Sequence, residues 1–265
     1  MSGRRRLRAA VRDRPVLKRL ALWARRMSAA LRPASLARLP WFFMEWGRFR
    51  RAGGRSAFWD LYPCLGDRTA STAVDPYYFY EGIWAFRRIL AGRPTQHVDV
   101  GSSVQLVGML TTVSPVTFVD IRPLALPVAG LTMKPGSLLQ LPFEDGCLHS
   151  LSCLNVLEHV GLGRYGDPID PAAREKACRE LQRVMARGGR LYLSTPVGRS
   201  RVHFNAHRVS GVSEILTAFD SMKLEELSLV DTDGAYSERI RIEDAAREAS
   251  GGNDFALGLF LFERV

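Results

Sequence analysis

The chain has 265 residues, of which 46% are hydrophobic and 9% aromatic, enough for a sizeable buried core, and this composition excludes disorder of the whole chain. Its net charge of +10 is concentrated at the N-terminus, because residues 1–55 hold 16 of the 37 basic residues but two of the 27 acidic ones. The remainder is net acidic, which argues against a nucleic-acid partner bound along the body of the protein.

The four cysteines show none of the spacings that are typical of zinc sites, and they suit a reducing cytosol better than a disulfide framework. No run of about 18 apolar residues occurs, and no secretory signal is recognisable at the N-terminus. We therefore expect a cytoplasmic protein.

Residues 1–55 are predicted to form a basic arm. Apolar residues recur with helical spacing over 15–31, and basic side chains lie off that stripe. A basic amphipathic helix can lie on an anionic membrane surface, and four aromatic residues that follow are candidates for an interfacial anchor: Trp41, Phe42, Phe43 and Trp46. One hypothesis is peripheral contact with the inner membrane surface through residues 15–46. The alternative is that the stripe packs on the domain or on a partner.

Residues 56–265 are predicted to form a single α/β domain. A helix is predicted over 77–90, and from residue 97 short strand-like runs alternate with helical stretches. The predicted strands are 97–100, 116–121, 148–154, 190–194, 224–230 and 255–265. Further helices are predicted over 105–112, 172–186 and 212–219, the middle one stopped by Gly188 and Gly189. This alternation indicates a doubly wound parallel sheet with helices on both faces.

A candidate ligand site lies where the first predicted strand ends. Gly101 follows that strand and lets a ligand approach the backbone, while the helix after it offers free N–H groups. Asp120 ends the next strand, where an acid can accept hydrogen bonds from both hydroxyls of a ribose. Together they predict a nucleoside-containing ligand, and the alternative for Asp120 is an ion pair with Arg122.

Three further segments follow in a characteristic order: LPFEDG at 141–146, NVLEHV at 155–160 and LQRVMARGGRLYLSTP at 181–196. This order resembles class I S-adenosylmethionine-dependent methyltransferases over roughly residues 97–196. The resemblance implies a Rossmann-like, mostly parallel sheet with an antiparallel pair of strands at the C-terminus. It also implies S-adenosyl-L-methionine as the cofactor.

A narrower resemblance involves GLGRYGDPID at 161–170 and FNAHR at 204–208. These segments are similar to a bacterial methyltransferase-like family of unknown function, whose members tend to occur alongside genes for cell-surface polysaccharides. It implies a small-molecule or glycan acceptor, methylated on a hydroxyl of a sugar or polysaccharide precursor.

The resemblance to the methyltransferases also implies roles for eight residues at the cofactor. Asp99 and Gly101 would lie by its methionine part, Asp120 would hold the ribose, Ile121 and Leu138 would flank the adenine, and Asn155 would lie beside the sulfonium. Ser102 and Ser103 would also bind the cofactor.

Three positions depart from the family pattern. Ser103 and Gln105 stand where the family usually has its second and third glycines, and Ser137 stands where many relatives have an acid. Because of these departures, one alternative remains: the chain is a catalytically inactive methyltransferase fold that serves as a binding or scaffold protein. An enzyme for another nucleotide-containing ligand is a further alternative, but no basic pair near Gly101 would meet a pyrophosphate.

Methyl transfer to a hydroxyl also needs a base, and the candidate catalytic residues are Glu158, His159 and His207. The alternative for the first two is that they cap or brace a helix. Candidate substrate-binding residues are Arg164, Tyr165, Asp167, Asn205 and Arg208, since most lie in loops of the kind that carry function. No metal site is predicted, because Asp167 with Asp170 and His203 with His207 each lack further ligands.

Overall fold

The computed structural model describes residues 36–251 and 254–265. The helix predicted over 15–31 lies outside the described residues. The chain divides between Ala73 and Val74 into two compact units, so the boundary predicted after residue 55 falls within the first of them. No helix within the described ranges is both long enough and apolar enough to cross a membrane.

The described part of the first unit contains helix α1 (Leu39–Arg51) and a short 3-10 turn (Phe58–Asp60). The four aromatic residues predicted as an anchor all lie on α1, which has no buried residue. The last turn of α1 carries Arg48, Arg50 and Arg51, where positive charge is favourable to the helix dipole.

An eight-stranded sheet forms the centre of the second unit. Its strands are β1 (His97–Val100), β2 (Val116–Asp120), β3 (Leu131–Pro135), β4 (Leu148–Leu154), β5 (Met185–Val197), β8 (Met222–Val230), β9 (Tyr236–Ser237) and β10 (Ala256–Arg264). They lie in the order β3-β2-β1-β4-β5-β10-β8-β9. Strands β1 to β5 are parallel, whereas β10 is antiparallel to both β5 and β8. A separate hairpin joins β6 (Arg201–His203) to β7 (His207–Val209).

Helices cover both faces of this sheet. They are α2 (Pro76–Gly92), α3 (Val104–Leu110), α4 (Ala173–Val184), α5 (Val212–Ala218) and α6 (Ile242–Ser250). One buried cluster joins α4, α5 and α6 to the sheet through residues such as Leu181 and Ile215, and the other joins α2 and α3 through Trp84 and Leu106. Strand β2 supplies Val119 to the first cluster and Phe118 to the second, as the twofold period of a strand requires. The predicted Rossmann-like fold is confirmed.

Several elements differ from the sequence prediction. Strand β3 was not predicted, since it is a partly exposed edge strand that ends in proline. The segment between the last two predicted strands, for which no element was predicted, contains β9 and α6. The glycines predicted to stop a helix lie inside β5, which begins immediately after α4. A Cβ atom at Gly189 would lie 2.7 Å from the carbonyl oxygen of Leu148, so glycine permits the close approach of β5 to β4.

Candidate functional site

The carboxyl ends of β1, β2 and β4 meet at one edge of the sheet, and the residues after them line two adjoining cavities. Strand β1 lies between β2 and β4, so the chain order reverses there. Ligands of doubly wound sheets bind at such a switch point. Four residues line both cavities: Gly101, Asn155, His159 and Tyr165.

The first cavity is an open cleft of about 620 Å³, including its solvent-filled mouth, and contains most of the predicted cofactor positions. Gly101, Asp120, Ile121, Leu138 and Asn155 all line it. Its walls are largely apolar, because Val119, Ile121, Leu138 and Val156 contribute to them. The structure thus brings together residues that are up to 54 positions apart in the sequence, from Gly101 to Asn155.

Gly101 has a backbone conformation that favours glycine over other residues. Its φ of +69° lies in the left-handed region. A Cβ atom at this position would lie 3.2 Å from Cγ2 of Val156 and 3.9 Å from Oδ2 of Asp120. The missing side chain therefore leaves room at the point where the ends of three strands converge.

Asp99 supports the loop from below and lines neither cavity. It is fully buried, and its carboxylate accepts hydrogen bonds from the backbone N–H of Ser102, at 3.0 Å, and from the Ser152 hydroxyl. Burial raises the pKa of Asp99 to about 6, although these hydrogen bonds act in the opposite direction. The residue positions the loop backbone. Ser102 and Ser103 of this loop line the second cavity.

Asp120 keeps one carboxylate oxygen for the first cavity. Its Oδ1 accepts a hydrogen bond from the backbone N–H of Arg122 at 2.6 Å and lies 3.9 Å from Nε of the same residue. Its Oδ2 accepts no hydrogen bond from the described residues. The Arg122 guanidinium lies over the Tyr165 ring, 4.3 Å from its centroid. The ion pair with Arg122, predicted from the sequence as the alternative role of Asp120, is therefore partly formed. It involves Oδ1 and leaves Oδ2 available to a ligand.

Asn155 lies at the junction of the two cavities. Its φ of +53° is unusual for a residue other than glycine. Its backbone N–H donates to the hydroxyl of Ser194 at 2.8 Å and lies 3.2 Å from the carbonyl oxygen of that residue. Strained backbone of this kind persists where the surroundings fix it, and it is frequent at functional sites.

The second cavity is an open cleft of about 1000 Å³, including its solvent-filled mouth, and contains the candidate bases. Glu158, His159, Arg164, Tyr165 and His207 line it. They come from the turn after β4, from the loop that follows and from β7. The aromatic residues Tyr77, Tyr78 and Phe255 complete much of its wall.

Glu158 is a buried acid with an unmet hydrogen-bonding capacity. It is 3% exposed, and its Oε2 has no hydrogen-bond partner among the described residues. Burial raises the pKa of Glu158 to about 8, and neither Arg164 nor a hydrogen bond with Thr195 outweighs that effect. Burial therefore favours the protonated form of Glu158 at neutral pH.

Glu81 is a second buried acid in this cavity, and the sequence interpretation missed it. It lies on α2, is 3% exposed and accepts a hydrogen bond from the Ser194 hydroxyl. Burial raises its pKa to about 8. A signal was present in the sequence, because Glu81 follows Tyr77 by four positions and precedes Trp84 by three, which places an acid on the buried face of a helix.

His159 is held as a neutral imidazole. Its Nδ1 lies 2.7 Å from the carbonyl oxygen of Ala206, which can only accept, and 3.2 Å from a guanidinium nitrogen of Arg164; the shorter contact favours the tautomer protonated at Nδ1. Its Nε2 keeps a lone pair and lies 3.6 Å from Oε1 of Glu158. Burial lowers the pKa of His159 to about 4. Arg164 donates to the same Ala206 carbonyl at 3.0 Å.

His207 is also neutral and partly buried. Its ring packs edge-on against Phe255 with centroids 4.8 Å apart, and burial lowers its pKa. Its Nε2 has no hydrogen-bond partner among the described residues.

The loop at 161–170 is folded around Asp167, whose carboxylate accepts hydrogen bonds from the backbone N–H groups of Gly161, Gly163 and Tyr165. Burial opposes ionisation, but these bonds outweigh it and lower the pKa of Asp167. Arg208 is buried behind the same loop and donates to the carbonyl oxygen of Val160.

Two of the predicted substrate-binding residues line neither cavity. Arg208 braces the loop, and Asn205 lies in the turn between β6 and β7. Tyr165 and Asp167 line the first cavity, and Arg164 and Tyr165 line the second. In the described ranges, no group of three or more His, Cys, Asp or Glu side chains is placed to hold a metal ion.

Comparisons with known proteins support the fold. Residues 147–233 match a family model described as Caenorhabditis protein of unknown function, DUF268. No curated protein matches the sequence. The N-methyltransferase NodS from Bradyrhizobium japonicum WM9 is 14% identical with a TM-score of 0.50, and the alignment covers 72% of this chain and 97% of that chain.

Two other solved structures give similar alignments. NodS in complex with S-adenosyl-L-homocysteine is 12% identical with a TM-score of 0.49, covering 72% of this chain and 88% of that chain. The [4+2]-cyclase SpnF is 12% identical with a TM-score of 0.49, covering 87% of this chain and 96% of that chain. At 14% identity the likeness to NodS shows the fold alone, and this chain shares the Rossmann-like fold of that N-methyltransferase.

Proposed function

We propose that this protein is an S-adenosyl-L-methionine-dependent methyltransferase that methylates a hydroxyl group of a sugar or polysaccharide precursor. The observation that carries the proposal is the convergence of Gly101, Asp120 and Asn155 on one cavity, which adjoins a second cavity containing buried acid and base groups. The fold alone would not favour an active enzyme over an inactive relative.

The first cavity fits the nucleoside part of the cofactor. Oδ2 of Asp120 is available to the ribose hydroxyls, and Ile121 and Leu138 supply apolar surface for the adenine ring. The cradle at Gly101 would be filled by any Cβ atom. When bound, S-adenosylmethionine supplies a methyl group on a positively charged sulfur.

The departures from the glycine pattern leave this cavity open. The Ser103 hydroxyl donates to Oε1 of Gln105 at 2.9 Å, and Gln105 is exposed and lines neither cavity. The long side chain that replaces the usual third glycine is therefore directed along the surface. Because Gln105 is held by Ser103 and does not fill the cavity, its presence is a weaker argument for an inactive scaffold.

The second cavity fits a hydroxyl acceptor. Nε2 of His159 and the carboxyl of Glu158 are candidates to hold or remove its proton, since both reach the region next to Asn155. The rings of Tyr77, Tyr78 and Tyr165 offer flat amphipathic surfaces for a sugar. The sugar class itself is suggested by the similarity of the segments at 161–170 and 204–208 to a polysaccharide-associated family.

Calorimetric titration of S-adenosylmethionine and S-adenosylhomocysteine tests the cofactor. We expect micromolar binding that Asp120→Ala weakens by about 100-fold, the loss expected from removing hydrogen bonds to a carboxylate. Asp220→Ala is the matched control, because Asp220 is exposed and distant in sequence from both cavities. Absence of binding at millimolar ligand, with a folded protein, would favour the inactive scaffold.

The acceptor requires a separate experiment. Protein that binds the cofactor would be incubated with methyl-labelled S-adenosylmethionine and a panel of nucleotide sugars, lipid-linked sugars and oligosaccharides. Label transferred to a hydroxyl supports the proposal. Transfer only to amines, or to none of the panel, contradicts the proposed acceptor.

We also propose that the protein acts in the cytoplasm and contacts the inner membrane surface through residues 15–46. The described support is the part of helix α1 within this segment, which exposes Phe43 and Met44. Sedimentation with vesicles containing anionic phosphatidylglycerol should be salt-sensitive and should disappear when residues 1–55 are deleted. Equal sedimentation of the deleted chain would refute this location.

A further inference from the structure

The second cavity contains two buried carboxyl groups that the described residues do not neutralise. Glu81 comes from α2 and Glu158 from the turn after β4, and both line the cavity. Glu81 is anchored by the uncharged hydroxyl of Ser194. Glu158 has one oxygen, Oε2, that is buried without a partner. Buried acids of this kind are strongly disfavoured as anions unless a positive charge approaches them.

The groups around the two acids do not supply that charge. Asp75 and Asp99 raise the pKa of Glu81, and Glu81 raises the pKa of Glu158. The cation that acts on Glu158 is Arg164, and its effect is smaller than that of burial. The remaining titratable neighbours are neutral near pH 7: Tyr77, Tyr78, His159 and His207. Among the residues that line the cavity, three acids, Asp75, Glu81 and Glu158, thus face one cation, Arg164, and the buried pair lacks a matching positive charge.

We propose that Glu81 and Glu158 form a cation site for the positively charged sulfur of S-adenosylmethionine, so that cofactor binding expels a proton from the cavity. The inference rests on the proposed function. It assigns Glu81, which neither the motif pattern nor the family resemblance identified, and it gives the unpartnered Oε2 of Glu158 a role.

The proton balance is simple. In the free protein a carboxyl group of the pair holds a proton. A sulfonium placed nearby favours the carboxylate, and the proton passes to solvent. Loss of the positive charge on sulfur would make the carboxylate a stronger base again, and the proton of the acceptor hydroxyl would reach it through His159, whose Nε2 lies 3.6 Å from Oε1 of Glu158. The site would therefore bind the methyl donor more tightly than the spent cofactor.

The experiment compares S-adenosylmethionine with S-adenosylhomocysteine, which share the nucleoside and the amino-acid group but differ in the charge on sulfur. Calorimetry near pH 7 in two buffers of different ionisation enthalpy counts the protons released. We expect more release with S-adenosylmethionine. Its affinity should rise up to about tenfold per pH unit per carboxyl between pH 6 and 8 and then level off, while that of S-adenosylhomocysteine changes little.

Three variants test which carboxyl group releases the proton when S-adenosylmethionine binds. Glu81→Gln and Glu158→Gln keep the size of the side chain but cannot ionise, and each should reduce the difference between the two ligands. Glu248→Gln is the matched control, because Glu248 is exposed on α6. Circular dichroism checks that each variant is folded, and the wild-type comparison stands even if one is not.

The outcomes separate this inference from the proposed function. Binding of both ligands with equal proton release, or a difference that survives in both glutamine variants, overturns the cation site and leaves the methyltransferase proposal intact. Failure of the wild-type protein to bind either ligand overturns both.

Discussion

Ser194 donates a hydrogen bond to Glu81, which is 113 residues away in the sequence and lies on a different element. The Ser194 hydroxyl also accepts a hydrogen bond from the backbone N–H of Asn155 at 2.8 Å, which leaves its own proton for Glu81. Ser194, near the end of β5, thereby connects Glu81 of α2, which lines the second cavity, to Asn155, which lines both cavities. The arrangement suggests that the position of Glu81 and the conformation of Asn155 depend on each other.

Ser194→Ala tests this connection. We expect a loss of about 1–3 kcal/mol in the free energy of unfolding, because the substitution leaves a buried carboxyl without its donor. Urea denaturation followed by fluorescence measures the change. Ser213→Ala, on the exposed side of α5, should change stability by less than about 0.5 kcal/mol. Equal stability of the two variants would show that the bond contributes nothing measurable.

Gly101→Ala should impair both folding and ligand binding. The left-handed backbone at Gly101 and the 3.2 Å approach to Val156 together predict a destabilisation of about 1–3 kcal/mol. Combining it with Val156→Ala relieves the close contact but leaves the backbone strain. Partial recovery of the melting temperature in the double variant is therefore expected, and full recovery would mean that the backbone conformation is not strained. Scanning calorimetry distinguishes the two results.

The sequence predicted the first cavity better than the second. Gly101, Asp120 and Asn155 each follow a parallel strand, and the ends of such strands share one edge of the sheet whatever the side chains do. The second cavity depends on tertiary pairing that no local pattern encodes. Glu81 comes from a helix before the sheet, and its partner Ser194 lies inside a strand.

Two predicted site residues, Arg208 and Asp99, lie near the cavities but line neither of them. Arg208 was predicted from the sequence to bind substrate, yet it is buried behind the loop at 161–170 and donates to the carbonyl oxygen of Val160. Asp99 was placed beside the cofactor, but the structure places it beneath the loop, where it binds Ser102. Residue type and order indicated the right region in both cases. Whether each side chain contacts a ligand or supports a loop depends on its burial, and neither its residue type nor its place in the sequence indicated that burial.

The stability of the protein should depend on pH through Glu158. Its pKa is raised by burial to about 8, compared with an ordinary value of 4.5. The folded state therefore retains a proton that the unfolded state loses, so stability is full below pH 4.5 and falls as pH rises towards 8. Glu158→Gln should be more stable than the wild type at pH 8, by at least about 1 kcal/mol, and should show a weaker pH dependence. Urea denaturation at pH 5 and pH 8 provides the comparison, and a parallel loss in both proteins would exclude Glu158 as the source.

The pH dependence of methyl transfer should identify the base once an acceptor is known. A histidine with a pKa of about 4 is already neutral across the physiological range, so a rate that depends on His159 is flat between pH 6 and 8. A rate that depends on the ionisation of Glu158 or Glu81 rises with pH over the same interval in the absence of saturating cofactor. We expect His159→Asn to lower kcat by roughly 100-fold or more while cofactor affinity is retained, the usual loss for a positioned proton acceptor. A variant that lowers only the affinity for the acceptor would instead make His159 a binding residue, and a steep pH profile that persists in His159→Asn would assign proton removal to the carboxyl pair.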